Sequence, residues 1–460
     1  MTSRLVSKWV MVVSLASAVA AATACEGDPE KRAAYGDGGE GGGTGAGDGG
    51  SSMPANNGGE PDARAGMPSV MGDAGAAGAP IAGAGGAPLD MPGQGGVPAA
   101  AGVPNEPTAG APSVLPQCEG NLVFPDTYVD QLVHDAVDTI GPITQADVAN
   151  LTDLAIPFND ENVDLTGIEC LSGLETIDLD RGGQTGIELL AELPNLRSVL
   201  FADPYGVDLD ALSALTQLTS LDLHGLAEAD FSALASLTNL EDLNLSGVGP
   251  FGQVPVDISP IAGLSKLKSL DLGYVVISDG TPLASLTQLE SLSLHGATIG
   301  STTPVLSLTN LRSLDLSSTQ ITTIFSLVAF TKLTTLDISY NTFTDFTPLA
   351  GHTIFTDLNV ASTTLKNLTS IAPLTALVTL DVSYNALTDV TTLGALPALS
   401  SLNLSFNNAV TSVHPLATSN YIGAGDYVDV SGVGDCGTGY TTDFQAIKAK
   451  NVSLANACGL

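Results

Sequence analysis

The chain has 460 residues, 44% of them hydrophobic, with 49 acids against 14 Lys and Arg and a formal net charge of −35. From Cys118 onward 38 acids stand against 9 Lys and Arg, a balance of −29. That excludes nucleic acid as a partner, because no basic footprint exists to displace counterions, and an anionic membrane surface would repel the segment.

At the N-terminus Arg4 and Lys8 flank the apolar run "WVMVVSLASAVAAATA", which stops before Cys25. The run is too short and too rich in small residues for a spanning helix, so residues 1–24 read as a signal peptide. Ala22-Thr23-Ala24 suits ordinary signal peptidase, and with Cys25 behind it the segment also resembles a bacterial lipobox. Cleavage before Cys25 is expected either way. Acylation of Cys25, with Glu26 beside it, implies a lipid anchor in the outer membrane or cell surface of a bacterium; without acylation the chain is secreted. Residues 25–117 then form the anchor cysteine and a Gly/Ala/Pro-rich linker ("GGEGGGTGAGDGG") that holds too little apolar surface to offset chain entropy. Its expected state is a disordered tether with an r.m.s. reach of roughly 50 Å.

Residues 118–150 predict a helical cap. Val129, Leu132, Val133, Ala136 and Val137 share one helical face, and Thr144-x-x-Asp147 suits the start of a second short helix. From Leu151 to Leu416 the chain repeats itself: "LTTLDISYNTFTDFTPL" at Leu333 returns 44 residues later as "LVTLDVSYNALTDVTTL". Starts fall at Leu151, Leu174, Leu196, Leu218, Leu240, Leu267, Leu289, Leu311, Leu333, Phe355, Leu377 and Leu399, mostly 22 residues apart. A fixed period of this length is read before local propensity. Leu333, Leu336 and Ile338 point alternate side chains of one short strand inward. A polar Asn or Thr (Asn341, Asn385, Asn407, Thr319, Thr363) then turns the chain and can bond backbone groups left unpaired there. Pro260, Pro282, Pro304 and Pro348 suit the first turn of a short helix. One repeat cannot bury such a stripe, but stacked repeats can, which predicts a solenoid of about 12 repeats with a parallel sheet along one face. Residues 417–460 lose the pattern through "YIGAGDYVDV" and predict a C-terminal cap with a helix near Phe444 to Lys450.

The motif LxxLxLxxNxIxxI/LxPLxxL resembles the bacterial internalin-like leucine-rich repeat family. The resemblance implies an α/β repeat fold, with the sheet on the concave face, short helices or 3-10 turns on the convex side and a cap at each end. It also implies binding rather than catalysis. Val248, Val275 and Ala297 depart from it, breaking the polar ladder in the middle repeats, and the tail has no LPxTG-type wall-anchoring signal.

Besides Cys25 there are two cysteine pairs, Cys118 with Cys170 and Cys436 with Cys458. Three connectivities are formally possible. Twelve strands at about 4.8 Å separate the ends of the solenoid by roughly 55 Å, so cross-end bridges are out of reach. Each pair is expected to staple one end of the solenoid.

The strand positions between inward residues face the concave side. They carry Asp153, Asp178, Asp180, Asp222, Asp242, Asp271, Asp315, Asp337, Asp357 and Asp381, with no Lys or Arg among them. At the rim sit Tyr274, Tyr340, Tyr384 and Phe406. The candidate binding residues are Asp222, Asp271, Asp315, Asp337, Asp381, Tyr274, Tyr340 and Tyr384. Acids would steer a cationic partner and rigid rings would anchor it. Asp315 and Asp337 fall about 5 Å apart, a separation also used by retaining glycosidases, but neighbouring strands offer similar pairs and no pocket is evident. His224 and His295 lie three repeats apart, roughly 14 Å, too far to share a metal. No zinc spacing, phosphate loop, GxSxG or EF-hand loop occurs, so neither enzyme activity nor a cofactor or metal is expected. The expected function is an exported, monomeric protein-binding module for a basic protein ligand, touching the membrane only through its lipid. The alternative is an envelope protein that binds polysaccharide or divalent cations.

Overall fold

Three residues per strand suffice in this chain because the inward Leu of each repeat meets the inward Leu of the next. The structure, a computed structural model, describes residues 118–460 except 158–161, 180–183, 202–208, 228–229, 250–253, 325–326, 435–436 and 456–460. The signal segment, the linker, Cys25, Asp180 and the Cys436–Cys458 pair lie outside the described residues. Among the described residues fourteen strands, from Asp153–Ile156 to Ser453–Ala455, form one parallel sheet in chain order. Their register sets Leu270, Leu292, Leu314, Leu336, Leu358, Leu380 and Leu402 side by side. Each of these is 1–2% exposed. Burying one such side chain is worth about 1.5–3 kcal/mol, and no single repeat could bury its own.

The opposite side is built from 3-10 turns such as Ser259–Gly263, Thr281–Ser285, Thr303–Ser307 and Thr347–Gly351, each with its proline at the start. The missing proline N–H costs nothing there. Asp257, Asp279 and Asp345 accept the N–H groups of Ser259, Thr281 and Thr347, which fixes the entry to each turn.

Between strand and turn the chain reverses inside the core, and two devices satisfy its backbone. In the later repeats the polar ladder does so. Asn341 Nδ2 donates to the carbonyls of Leu316 (2.8 Å), Ile338 (3.1 Å) and Ser339 (3.1 Å), while its Oδ1 accepts from Ile321 N (3.2 Å). Asn407 repeats the pattern on Val382, Leu404, Ser405 and Leu387. Thr319 and Thr363 contribute a hydroxyl to Leu316 O and Val360 O, each at 2.6 Å. Where Val275 and Ala297 replace the polar residue, backbone pairs with backbone instead. Val276–Ile277 and Thr298–Ile299 form a second parallel ladder, extended by a bridge from Val256 to Ile277. The break in the polar pattern is thus a change of device, with no loss of pairing at these rungs.

The N-terminal end is closed by the helix Thr127–Val137, which buries Val129 and Val133 and is capped by Asp126. Thr144 N–H and hydroxyl both donate to Asp147 at the start of Gln145–Val148. A disulfide joins Cys118 to Cys170 with a Cα separation of 5.2 Å. At the other end the sheet runs past Leu416. Val428 and Leu454 continue the row from Leu402 as strands Tyr427–Asp429 and Ser453–Ala455. Their spacing of 26 residues in place of 22 hides them from a search at fixed period. The helix Thr438–Lys448 connects these last strands and buries Phe444 and Ile447. Among the described residues no helix is long and apolar enough to cross a membrane.

Asn407→Leu keeps the volume but leaves the Leu404 carbonyl and the Leu387 N–H without their partner, and it takes one of two donors from the carbonyls of Val382 and Ser405. The expected loss is about 2–4 kcal/mol in urea unfolding, with amide exchange rising first at Leu387. A variant as stable as the parent would sink this account of the ladder. Separately, reduction of Cys118–Cys170 is expected to cost about 2–4 kcal/mol, read as a lower urea midpoint in a Cys170→Ser variant.

Candidate functional site

The concave sheet presents two outward rows. The first holds Asp153, Asp242 and Asp357 among Ser and Thr. The second runs Asp178, Leu200, Asp222, Asn244, Asp271, Ser293, Asp315, Asp337, Asn359, Asp381, Asn403 and Asp429 in unbroken register. Five of the eight candidate residues therefore share one line.

Those five acids are more constrained than their sequence positions imply. Oδ1 of Asp222, Asp271, Asp315, Asp337 and Asp381 accepts the N–H two residues on, at 2.8–3.0 Å. Asn244, Asn359 and Asn403 do the same. A short polar side chain at this point ties off each strand end. The other carboxylate oxygen takes a donor from the next rung: Asn244 to Asp222 (3.0 Å), Asn359 to Asp337 (2.8 Å) and Asn403 to Asp381 (2.8 Å).

Three residues beyond this row the chain enters the left-handed region in every repeat from Asp222 to Asp429. The positions are Gly225, Gly247, Tyr274, Gly296, Ser318, Tyr340, Ser362, Tyr384, Phe406 and Gly432. Glycine is the undemanding choice there, since a Cβ in this conformation costs roughly 1–2 kcal/mol. Tyr274, Tyr340, Tyr384 and Phe406 nonetheless adopt it, at φ 51–62°, and are 66%, 56%, 52% and 44% exposed. These rings add little to the core. They line the rim beside the acids, as expected, and Tyr384 stacks on Phe406 with centroids 4.3 Å apart and planes 17° apart. The upstream margin of the sheet differs, with the charge pairs Lys268–Glu241 (2.6 Å) and Arg312–Glu290 (3.2 Å).

One rung is unusual electrostatically. Asp315 and Asp337 are direct neighbours, so Asp315 has no neutral rung after it. Ser317 compensates by giving both its N–H (2.8 Å) and its hydroxyl (2.5 Å) to Asp315. Because that hydroxyl is donating, it accepts from His295 Nδ1 (2.5 Å), and His295 Nε2 accepts from the Tyr274 hydroxyl (2.7 Å). Tyr274 and His295 also meet edge to face. His295 and Ser317 thus belong to the site, though only their place relative to Asp315 in the repeat could have signalled it. Burial, together with Asp315 beside it, pushes the Asp337 carboxyl up to about 6 against donors that favour its charge. Burial also raises Asp271 and Asp381. His224 bonds Asp222 at 2.8 Å and stands apart from His295. Among the described residues no group of His, Cys, Asp or Glu is placed to hold a metal. A shallow dip between the turns at Ser278–Thr281 and Ser301–Thr303 contains Asp279 but no second titratable group.

This arrangement decides the architecture. Residues 309–351 and 375–418 match the family described as Leucine Rich repeats (2 copies). The chain carries a leucine-rich-repeat solenoid. It is similar to an internalin, InlF of Listeria monocytogenes, at 28% identity over 68% of this chain and 96% of that one, with a TM-score of 0.55. A leucine-rich-repeat protein of Leptospira interrogans shares the fold at 20% identity, covering 63% of this chain and 75% of its own, with a TM-score of 0.52. A chain of the mouse RP105/MD-1 complex shares it at 20% identity, covering 66% and 53%, with a TM-score of 0.50. No curated protein matches the chain by sequence.

The solenoid's acidic row makes a pH prediction with a definite sign. Asp337 is raised on folding from its ordinary 3.8 to about 6. The folded state therefore holds a proton that the unfolded chain has lost across that window, and stability falls as pH rises through it. Asp337→Asn keeps the bond to Ser339 N, as Asn359 shows for Ala361, and removes the repulsion with Asp315. The variant is expected to gain about 1–2 kcal/mol at pH 7.5 and to lose the Asp337 share of the slope between pH 4 and 6 in urea titrations, the remainder belonging to Asp271 and Asp381, which burial also raises. An unchanged slope would show that another group titrates there.

Proposed function

We propose that this leucine-rich-repeat chain is an extracytoplasmic, membrane-tethered binding module that takes a basic protein partner on its acidic concave face. Binding suits a surface that offers charge and rings in an open row along the sheet. The carrying observation is the set of exposed rings held in the left-handed conformation beside a row that from Asp222 to Asp429 is Asp or Asn except at Ser293. Backbone geometry alone would select glycine at those positions, so the rings are maintained at a cost, and strain of this kind at an exposed surface supports a role in recognition. Likeness to an internalin supports the same class of function. The tether reading adds Cys25 as lipid attachment and residues 26–117 as spacer, with the cell surface as location and a monomer as the binding unit. A polysaccharide partner is less well supported. A neutral sugar would stack on the free ring faces but leave the acidic row unused.

Replacing Asp271, Asp315, Asp337 and Asp381 with Asn preserves the turn bonds. Association with a partner captured from the native envelope or secretome is expected to slow and to lose much of its salt dependence. Replacing Tyr340 and Tyr384 with Ala is expected to speed dissociation, at a cost of about 2 kcal/mol or more. Kinetics untouched by both sets would move the binding site to the convex side, a cap or the tether. For the anchor, Cys25→Ala is expected to abolish partitioning into detergent; a wild-type chain that stays aqueous is simply secreted.

A further inference from the structure

Ser362 is, among the described left-handed rungs, the one short residue with an aromatic on either side, Tyr340 before it and Tyr384 after it. Strand spacing separates those two rungs by roughly 10 Å along the solenoid. Tyr384 on Phe406 shows that one ring occupies one rung, so the Ser362 rung has the width of a single planar group. Beneath it lies neutral Asn359, with Asp337 and Asp381 as its partners on either side. Burial first, and then the charges of Asp381, Tyr384 and Asp337, hold the Tyr340 phenol above its ordinary value. Each carboxylate oxygen of Asp337 and Asp381 already accepts one donor, so this pair supplies field in preference to a bidentate clamp.

We propose that the Ser362 rung seats an arginine side chain of a basic protein partner, its guanidinium plane between Tyr340 and Tyr384 and its charge over Asp337 and Asp381. The inference rests on the acidic-face reading and names its central contact. Guanidinium is planar, weakly hydrated and stacks on aromatic faces, whereas an ammonium is compact and strongly hydrated. The site therefore discriminates arginine from lysine even though their charges are equal.

The test uses the full-length chain and three acetylated, amidated peptides, Gly-Arg-Gly-Arg-Gly and its lysine and citrulline counterparts, followed by NMR titration of the tyrosine rings. Binding of the arginine peptide is expected to be about tenfold tighter than citrulline and several-fold tighter than lysine. It should also lower the Tyr340 phenol pKa, because a cation beside the ring offsets the neighbouring carboxylates. Ser362→Tyr fills the rung in a conformation that Tyr340 and Tyr384 already adopt, so the fold should survive and arginine binding should fall about tenfold. Should that variant fail to fold, Tyr340→Ser decides, since Ser occupies the same backbone at Ser318 and Ser362. Lysine binding equal to arginine, citrulline binding equal to arginine, or a Ser362→Tyr variant that binds like wild type would each overturn the proposal. Loss of arginine binding in the four-Asn variant with none in Ser362→Tyr would retain the acidic-face reading and reject this seat. No arginine binding by the wild type would reject the seat, and the partner kinetics with the four-Asn variant would then judge the face separately.

Discussion

Every repeat has to reverse its chain inside a dry core, and a backbone that turns there must find partners for its own N–H and C=O groups. An unpaired buried group costs about 1–3 kcal/mol, and with over a dozen turns the solenoid could not survive leaving them open. Its two devices follow from that constraint. An Asn side chain mimics the missing peptide group, as Asn341 and Asn407 do, or a second ladder brings in another peptide group, as at Val276 and Thr298. The leucine row supplies the driving force for stacking, but these bonds determine where each turn can lie.

The candidate site is a by-product of the same geometry. Ending each strand requires an Asp or Asn that captures the N–H two residues on, and the following reversal requires a left-handed residue. One demand places acids in a line, and the other turns a side chain out at the rim in every repeat. The chain uses that second position twice over. It places Gly or Ser where only the turn matters and Tyr or Phe where a ring faces solvent. The surface is thus carried by the same backbone turns that close each repeat.

Much of this was legible in the residues. The 22-residue spacing, the inward Leu positions, the Asn/Thr ladder, the proline starts and the Cys118–Cys170 staple all express local rules that hold wherever the repeat recurs. The last two strands were not legible, because Val428 and Leu454 keep the alternation but abandon the period. Nor was the replacement for the broken ladder, since a backbone pair between Val276 and Thr298 leaves no mark in side-chain type. Acids and tyrosines could be placed on the concave side and rim by counting. Their structural duties could not, because an Asx bond and a positive φ are properties of the turn, and Tyr340 reads like any other tyrosine.

The order of residues along the acidic row has its own logic. Two carboxylates on adjacent strands, about 5 Å apart, repel by roughly 3 kcal/mol at an effective dielectric of 20, and by about half that two strands apart. From Asp222 to Asp429 the row mostly alternates acid with Asn or Ser: Asn244, Ser293, Asn359 and Asn403 each intervene. The interleaved Asn residues do more than dilute the charge, since each gives its amide hydrogen to the acid before it. Asp315 and Asp337 break the alternation, and there the structure departs from its own pattern. Asp337 resists ionisation, while Ser317, His295 and Tyr274 are recruited to serve Asp315. A row selected for solubility alone would have no use for that pair, because an Asn at either position would be more stable and cost one charge of many. The pair concentrates negative charge at the centre of the concave face, at a cost in stability that the alternating rungs avoid.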